Sequence, residues 1–177
     1  MTIIFLVVAA QELVTLRIVR NAKREDLFFL IPTFLILVSA LSVTAWDFVK
    51  LQESMYTPSP GSIVGLLLFI IGLVIQLVAW RTLRQSYSWT LEIKEGHRLI
   101  KHGIYKHTRH PIYLGTIMRI IAIPLFLSSL YGLLSMSALI PFIFYRIRVE
   151  ERMLIEEYGN EYRKYMENTR KLIPFVY

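Results

Sequence analysis

Residues 61–80, GSIVGLLLFIIGLVIQLVAW, run for twenty positions without a charged side chain. About 20 such residues cross roughly 30 Å of hydrocarbon as a helix, the form in which a lipid-embedded backbone satisfies its own hydrogen bonds. Gly61, Gly65 and Gly72 leave room for close helix approach, and Gln76 is the one polar side chain mid-run. Residues 27–46 form a second uncharged run of the same length, with Pro32 near its start, where a missing N–H is tolerated best. Composition agrees: the chain is 55% hydrophobic with a mean hydropathy of +0.49, too apolar for a soluble domain.

Three further apolar runs complete the pattern. Residues 2–16 are interrupted by Gln11 and Glu12 and followed by Arg17, Arg20, Lys23 and Arg24. With no basic stretch ahead and no small-residue cleavage site behind, this reads as a retained span and not a signal peptide. Residues 112–127 and 133–145 are short for independent crossings. A tight helical hairpin through residues 128–132, kinked near Pro124 and Pro141, fits them. The expectation is a single all-α membrane domain over residues 1–177, with five helical spans near 2–16, 27–46, 61–80, 112–127 and 133–145. Residues 47–60 read as a loop. Residues 81–115 and 146–177 read as the polar, cofactor-binding part. In the latter, Val149, Met153, Leu154 and Tyr158 recur at helical spacing, so an amphipathic helix is expected there, ended by Gly159.

Basic residues give the orientation. Four follow the first span, seven lie between residues 81 and 109, and seven follow residue 145, whereas the loop between the second and third spans has only Lys50. Five spans put every basic cluster on one side, which predicts an outside N-terminus and a cytosolic C-terminus. The net charge of +7 therefore points to membrane lipids and not to nucleic acid. With no cysteine, there is no thiolate metal site and no cysteine nucleophile.

Chemistry-bearing residues concentrate in two places. His97, His102, His107 and His110 lie within fourteen residues. Steps of five rotate a helix by about 140°, and Gly103 and Pro111 break the segment, so a shared metal is not expected. Arg109-His110-Pro111-Ile112-Tyr113 starts a span, and each residue alone has a plain structural reading as proline at a helix start or as interfacial anchors. Arg146 and Glu150 stand four apart, which sets a cation beside a carboxylate on one helical face where the last span meets water. Glu12 and Arg119 are ionisable groups inside apolar runs, placed either to pair with each other or to line a polar pocket.

Taken in order, His97-Arg98-Leu99-Ile100-Lys101-His102-Gly103-Ile104-Tyr105, Arg109 to Gly115, Arg146 to Leu154, and Gly159-Asn160-Glu161-Tyr162-Arg163-Lys164-Tyr165 resemble the isoprenylcysteine carboxyl methyltransferase family. From His97 to Tyr165 these elements span 69 residues of the C-terminal half. Phospholipid N-methyltransferases share much of the pattern, and membrane sterol reductases share a looser version. The resemblance implies S-adenosylmethionine as methyl donor, S-adenosylhomocysteine as product, no metal, and a prenylated cysteine carboxylate or another lipid-linked acceptor as substrate. It implies cofactor contacts from His97, Arg98, Leu99, Ile100, Tyr105, His110, Pro111, Ile112, Tyr113 and Glu150. It makes Arg146 the catalytic, substrate-holding residue. The membrane would be the plasma membrane of a prokaryote or the endoplasmic reticulum of a eukaryote. The alternatives are a phospholipid amine methyltransferase, an NADPH-dependent sterol-type reductase, and a non-enzymatic lipid-binding protein.

A carboxylate acceptor is already ionised near neutral pH, with an unperturbed pKa of about 3.3–3.7, so no general base is required. The protein must supply alignment and partial dehydration of opposite charges. An arginine can grip the carboxylate in one orientation, and a glutamate can hold a cationic or hydroxyl group of the donor. No G-x-G-x-x-G fingerprint is present, so the soluble dinucleotide-type methyltransferase fold is not expected.

Overall fold

A computed structural model describes residues 24–52, 59–83 and 99–173, with side chains for residues 33–50, 59–83 and 99–173. The expected first span, with Glu12, and the residues His97 and Arg98 lie outside the described residues. Every regular element described is helical: α1 (Arg24–Gln52), α2 (Pro60–Leu83), a 3-10 turn (Gly103–Lys106), α3 (Pro111–Phe126), α4 (Leu130–Ser137), α5 (Ile140–Tyr158) and α6 (Asn160–Asn168). Thr33–Lys50, Pro60–Leu83 and Leu130–Tyr158, the last interrupted between α4 and α5, are long and apolar enough to cross a membrane.

α2 is built inside out relative to a soluble helix. Its buried residues are Ser62, Gly65, Phe69, Gly72, Gln76 and Ala79, in alternating steps of three and four. Ile63, Leu67, Ile70 and Val74 on the outer surface are about half exposed. Water would not tolerate that much open apolar surface, whereas lipid chains match it. Small residues inside let α2 and α3 run antiparallel at close range. A Cβ on Gly115 would lie 2.5 Å from the Gly72 carbonyl oxygen, and one on Gly72 would lie 2.9 Å from that of Gly115. Near the other end of the same seam, Gly65 faces the backbone of Ala122 and Phe126.

The seam is also polar at its centre. The Gln76 amide donates to Thr116 Oγ1 at 2.8 Å, and Gln76 Oε1 accepts from Arg119 Nη1. The Arg119 guanidinium lies 5.2 Å from the Phe69 ring centre. Arg119 therefore meets the neighbouring span through an amide and an aromatic face, both suited to a guanidinium inside an apolar segment.

The hairpin forms, with shifted boundaries. Ser128 turns the chain at φ 54°, and Ser129 caps α4 by accepting from the Gly132 N–H at 2.8 Å. Leu130–Gly132 are thus the first turn of a helix and not part of the loop. Ser129 also donates to Asp47 at 2.6 Å, and Ser128 lies 3.0 Å from Ser59, so the hairpin turn is tied to the end of α1 and the start of α2. Ala138-Leu139 interrupt the second arm just before Pro141 sits in the first turn of α5. Two further expectations need correction. α1 runs to Gln52, which makes Asp47 and Lys50 helical. The second arm does not end at Tyr145, because α5 continues to Tyr158, where Gly159 at φ +51° stops it. Nothing in Arg146–Tyr158 breaks a helix, so the change from apolar to charged marks a change of surroundings and not of structure.

Ile143, Ile147 and Glu151 form the buried line of α5, whereas Val149, Met153, Leu154 and Tyr158 are only half buried. The inward face of the tail is set by continuity with the hairpin arm. Ile143 and Ile147 join Ala40, Ile120, Met136, Leu139 and Leu172 in one apolar cluster. Gly103 packs on Thr82 at the far end of α2, so the connector sits opposite the hairpin turn.

Replacing Gly115 by leucine should separate α2 from α3 and cost about 1–3 kcal/mol, as overpacking does. Leu67→Ala on the outer face should change stability by no more than about 0.5 kcal/mol. Thermal unfolding in lipid nanodiscs distinguishes the two, and equal effects would contradict the assigned faces.

Candidate active site

The connector and the tail meet at one end of the helices. Thr108 and Arg170 form a single parallel bridge. Around it the Arg109 N–H donates to the Arg170 carbonyl at 2.8 Å, and the His110 N–H donates to the Lys171 carbonyl at 3.1 Å. The buried Thr108 hydroxyl donates to the Leu172 carbonyl at 2.8 Å. Tyr165 of α6 donates to the Tyr105 carbonyl at 2.7 Å. Pro111 follows at the first position of α3, where the helix needs no N–H.

A carboxylate locks this junction. Glu151 Oε1 is 2.9 Å from Arg109 Nε and 3.3 Å from His110 Nε2, and Oε2 is 3.2 Å from Lys171 Nζ. The side chains of Arg109 and Glu151 are each 8% exposed. Arg109 Nη1 also donates to the carbonyls of Met166 at 3.1 Å and Thr169 at 2.6 Å. Burial alone would raise the Glu151 carboxyl. Hydrogen bonds and charge from His110 and Arg109 outweigh that and hold it at about 2, below its ordinary 4.5. Burial likewise pushes the Tyr165 phenol up to about 12, against the lowering effect of Arg109.

One helical step away, the other acidic residue faces a different neighbourhood. Arg146 Nε donates to the Tyr113 hydroxyl at 3.0 Å, and the Glu150 carboxylate is close enough to act on that hydroxyl electrostatically. Arg146, Glu150 and Tyr113 are each half buried. The fourfold spacing thus brings cation and carboxylate together with a phenol from the start of α3. The His110 and Tyr113 rings lie 5.8 Å apart, so the lock and this group are adjacent.

The remaining sequence-selected residues are distributed as follows. Ile112, Leu99 and Ile100 are half buried. Tyr105 is 7% exposed, His110 is 3% exposed, and Pro111 is fully buried, so the closed junction leaves these three little surface for a ligand. His102 and His107 are exposed, while His110 points to Glu151. A cleft of about 500 Å³ between connector and α6 is lined by Lys101, Lys106, Lys164, Tyr165 and others, and includes neither Arg146 nor Glu150. Sequence reasoning missed the role of Glu151. The only available signal was the consecutive pair Glu150-Glu151, in which one residue must face away from whatever the other meets.

Comparison with known proteins places these features. The family model described as the isoprenylcysteine carboxyl methyltransferase (ICMT) family matches residues 64–156. The protein-S-isoprenylcysteine O-methyltransferase of Saccharomyces cerevisiae is 36% identical over 118 residues, which are 65% of this chain and 49% of that protein. A probable protein-S-isoprenylcysteine O-methyltransferase of Oryza sativa subsp. japonica is 30% identical over 152 residues, 80% of each chain. Methanethiol S-methyltransferase 1 of Bradyrhizobium diazoefficiens is 42% identical over 72 residues, 41% of this chain and 25% of that one. The solved structure of the eukaryotic intramembrane Ras methyltransferase ICMT superposes with a TM-score of 0.70 at 25% identity, covering 79% of this chain and 52% of that one. The chain spans about half the length of the yeast relative and of the solved protein.

Removing Glu151 leaves the buried Arg109 guanidinium without its counter-ion, which costs about 3–5 kcal/mol. Glu151→Ala should therefore lower unfolding stability by that order, whereas Glu161→Gln, which breaks the exposed Lys101–Glu161 pair, should cost no more than about 1 kcal/mol. Because the folded carboxyl is depressed, its contribution is complete above pH 4.5 and is lost as pH falls toward about 2. Stability measured across that window should fall less steeply in Glu151→Gln than in the wild type.

Proposed function

This chain belongs to the isoprenylcysteine carboxyl methyltransferase family, and we propose that it moves a methyl group from S-adenosylmethionine to the C-terminal carboxylate of a prenylated cysteine at the cytosolic face of its membrane. The observation that carries this reading is the convergence of Arg146 and Glu150 on Tyr113, in a half-buried setting at the basic end of the apolar helices.

The donor set suits both reactants. Glu150 offers an anionic acceptor for an ammonium or for hydroxyl groups, and aromatic rings from His110 and Tyr113 stand beside it. When bound, S-adenosylmethionine supplies a methyl group on a positively charged sulfur, open to in-line displacement. Glu150, Ile112, the ring of Tyr113 and the connector residues His97, Arg98, Leu99 and Ile100 would hold it, and the buried Tyr105, His110 and Pro111 would act from behind them. Arg146 would hold the acceptor carboxylate by charge-assisted hydrogen bonds and fix the direction from which its oxygen approaches. No residue need take a proton, because the acceptor arrives ionised.

A lipid-linked acceptor also explains why the site stands at the end of membrane helices. A prenyl chain keeps about 0.8 kcal/mol per buried CH₂ by staying in lipid, so the soluble reactant is the one that travels. The single basic end of the helices supports a cytosolic placement.

Label transfer from S-adenosylmethionine in liposomes tests the reading. N-acetyl-S-farnesylcysteine should become a base-labile methyl ester, while phosphatidylethanolamine and methanethiol should not be methylated. Arg146→Ala should lower transfer by about 10- to 100-fold, the worth of a hydrogen bond to a charged group, with S-adenosylhomocysteine binding retained. Glu150→Gln should weaken S-adenosylhomocysteine binding instead. Methylation of the amine or the thiol in place of the carboxylate would overturn the assignment.

A further inference from the structure

Arg146 stands on α5 at the point where the apolar arm gives way to the charged tail. Its side chain is long and flexible, and a guanidinium grips a carboxylate well only when its plane is fixed. A fixing contact comes from outside its own helix: the Tyr113 hydroxyl accepts from Arg146 Nε at 3.0 Å. Nε is the nitrogen closest to the stem, so a bond there sets the orientation of the fork beyond it.

Tyr113 is suited to the task. It is in the first turn of α3, whose start is pinned by Pro111 and by the His110 N–H on the tail. A guanidinium can only donate and a phenol oxygen has lone pairs to accept with, so the direction of the contact is defined: Arg146 donates and Tyr113 receives.

We infer that Tyr113 is a positioning residue that orients Arg146 toward the acceptor carboxylate, and that its hydroxyl acts on the acceptor side of the site more than on the donor side. This rests on the proposed carboxylate-methylating reading. It separates the phenol from the cofactor-contact role that the family pattern implies for the whole of His110–Tyr113.

The test compares binding of N-acetyl-S-farnesylcysteine with that of its methyl ester to the full-length protein in nanodiscs, and measures S-adenosylhomocysteine binding in the same samples. The wild type should prefer the free acid. Tyr113→Phe should reduce that preference by about 10-fold, the low end for a hydrogen bond to a charged group, and leave S-adenosylhomocysteine affinity within about twofold. Arg146→Lys removes the same contact from the other side. Adding Tyr113→Phe to it should bring no further loss of preference, because the two changes share one interaction. A Tyr113→Phe protein that keeps the full acid preference, or that loses S-adenosylhomocysteine affinity instead, overturns the inference while leaving the methyltransferase reading intact. Additive losses in the double variant also overturn it. A wild type without any preference for the acid sinks the proposed acceptor and not merely the role of Tyr113.

Discussion

A buried carboxylate shared by an arginine, a lysine and an imidazole joins the two distant parts of the polar end. Glu151 belongs to α5, Arg109 and His110 to the connector, and Lys171 to the segment after α6. Neither the Glu151 carboxylate nor the Arg109 guanidinium would be stable alone at this depth of burial. Each is retained because the other is present, which is the condition under which buried ion pairs specify an arrangement even where they add little net stability. The backbone bridge between Thr108 and Arg170 and the hydroxyl of Thr108 then find their partners in register.

From that junction the geometry of the candidate site follows by helical rotation. Glu150 and Glu151 are adjacent, so they point about 100° apart. With Glu151 committed to the connector, Glu150 is turned toward the start of α3, where Tyr113 stands, and Arg146 one turn earlier shares that side. The structural carboxylate thus turns its neighbour toward Tyr113. The membrane-embedded seam acts in the same direction. α2 and α3 approach closely through Gly72 and Gly115, which fixes the position of α3, and with it Tyr113, against α2.

Much of this was legible in the sequence, for identifiable reasons. The twenty uncharged residues of α2, the hairpin turn at Ser128-Ser129 and the stop at Gly159 are local signals, and local signals survive without a structure. The neighbourly placement of Arg146 and Glu150 follows from helix geometry alone. Gln76 and Arg119 were each conspicuous as polar residues in apolar runs, but their pairing joins positions 43 apart in sequence, and spacing says nothing about that. The same limit hid the bridge of Thr108 to Arg170. Continuity of α5 past Tyr145 was obscured by the change of composition at Arg146. That change reflects where lipid ends, and a helix crosses it without a break.

The central claim is that Glu151 holds connector and tail as one unit. Hydrogen exchange on the Glu151→Gln protein in nanodiscs tests it most directly, reading the amides of Arg109 and His110 together with that of Arg170, which donates to the His107 carbonyl. The account predicts that these amides, slow to exchange in the wild type, all lose protection by a similar factor while the amides of α2 remain protected. Loss of protection on the connector with the tail unchanged, or the reverse, would contradict it.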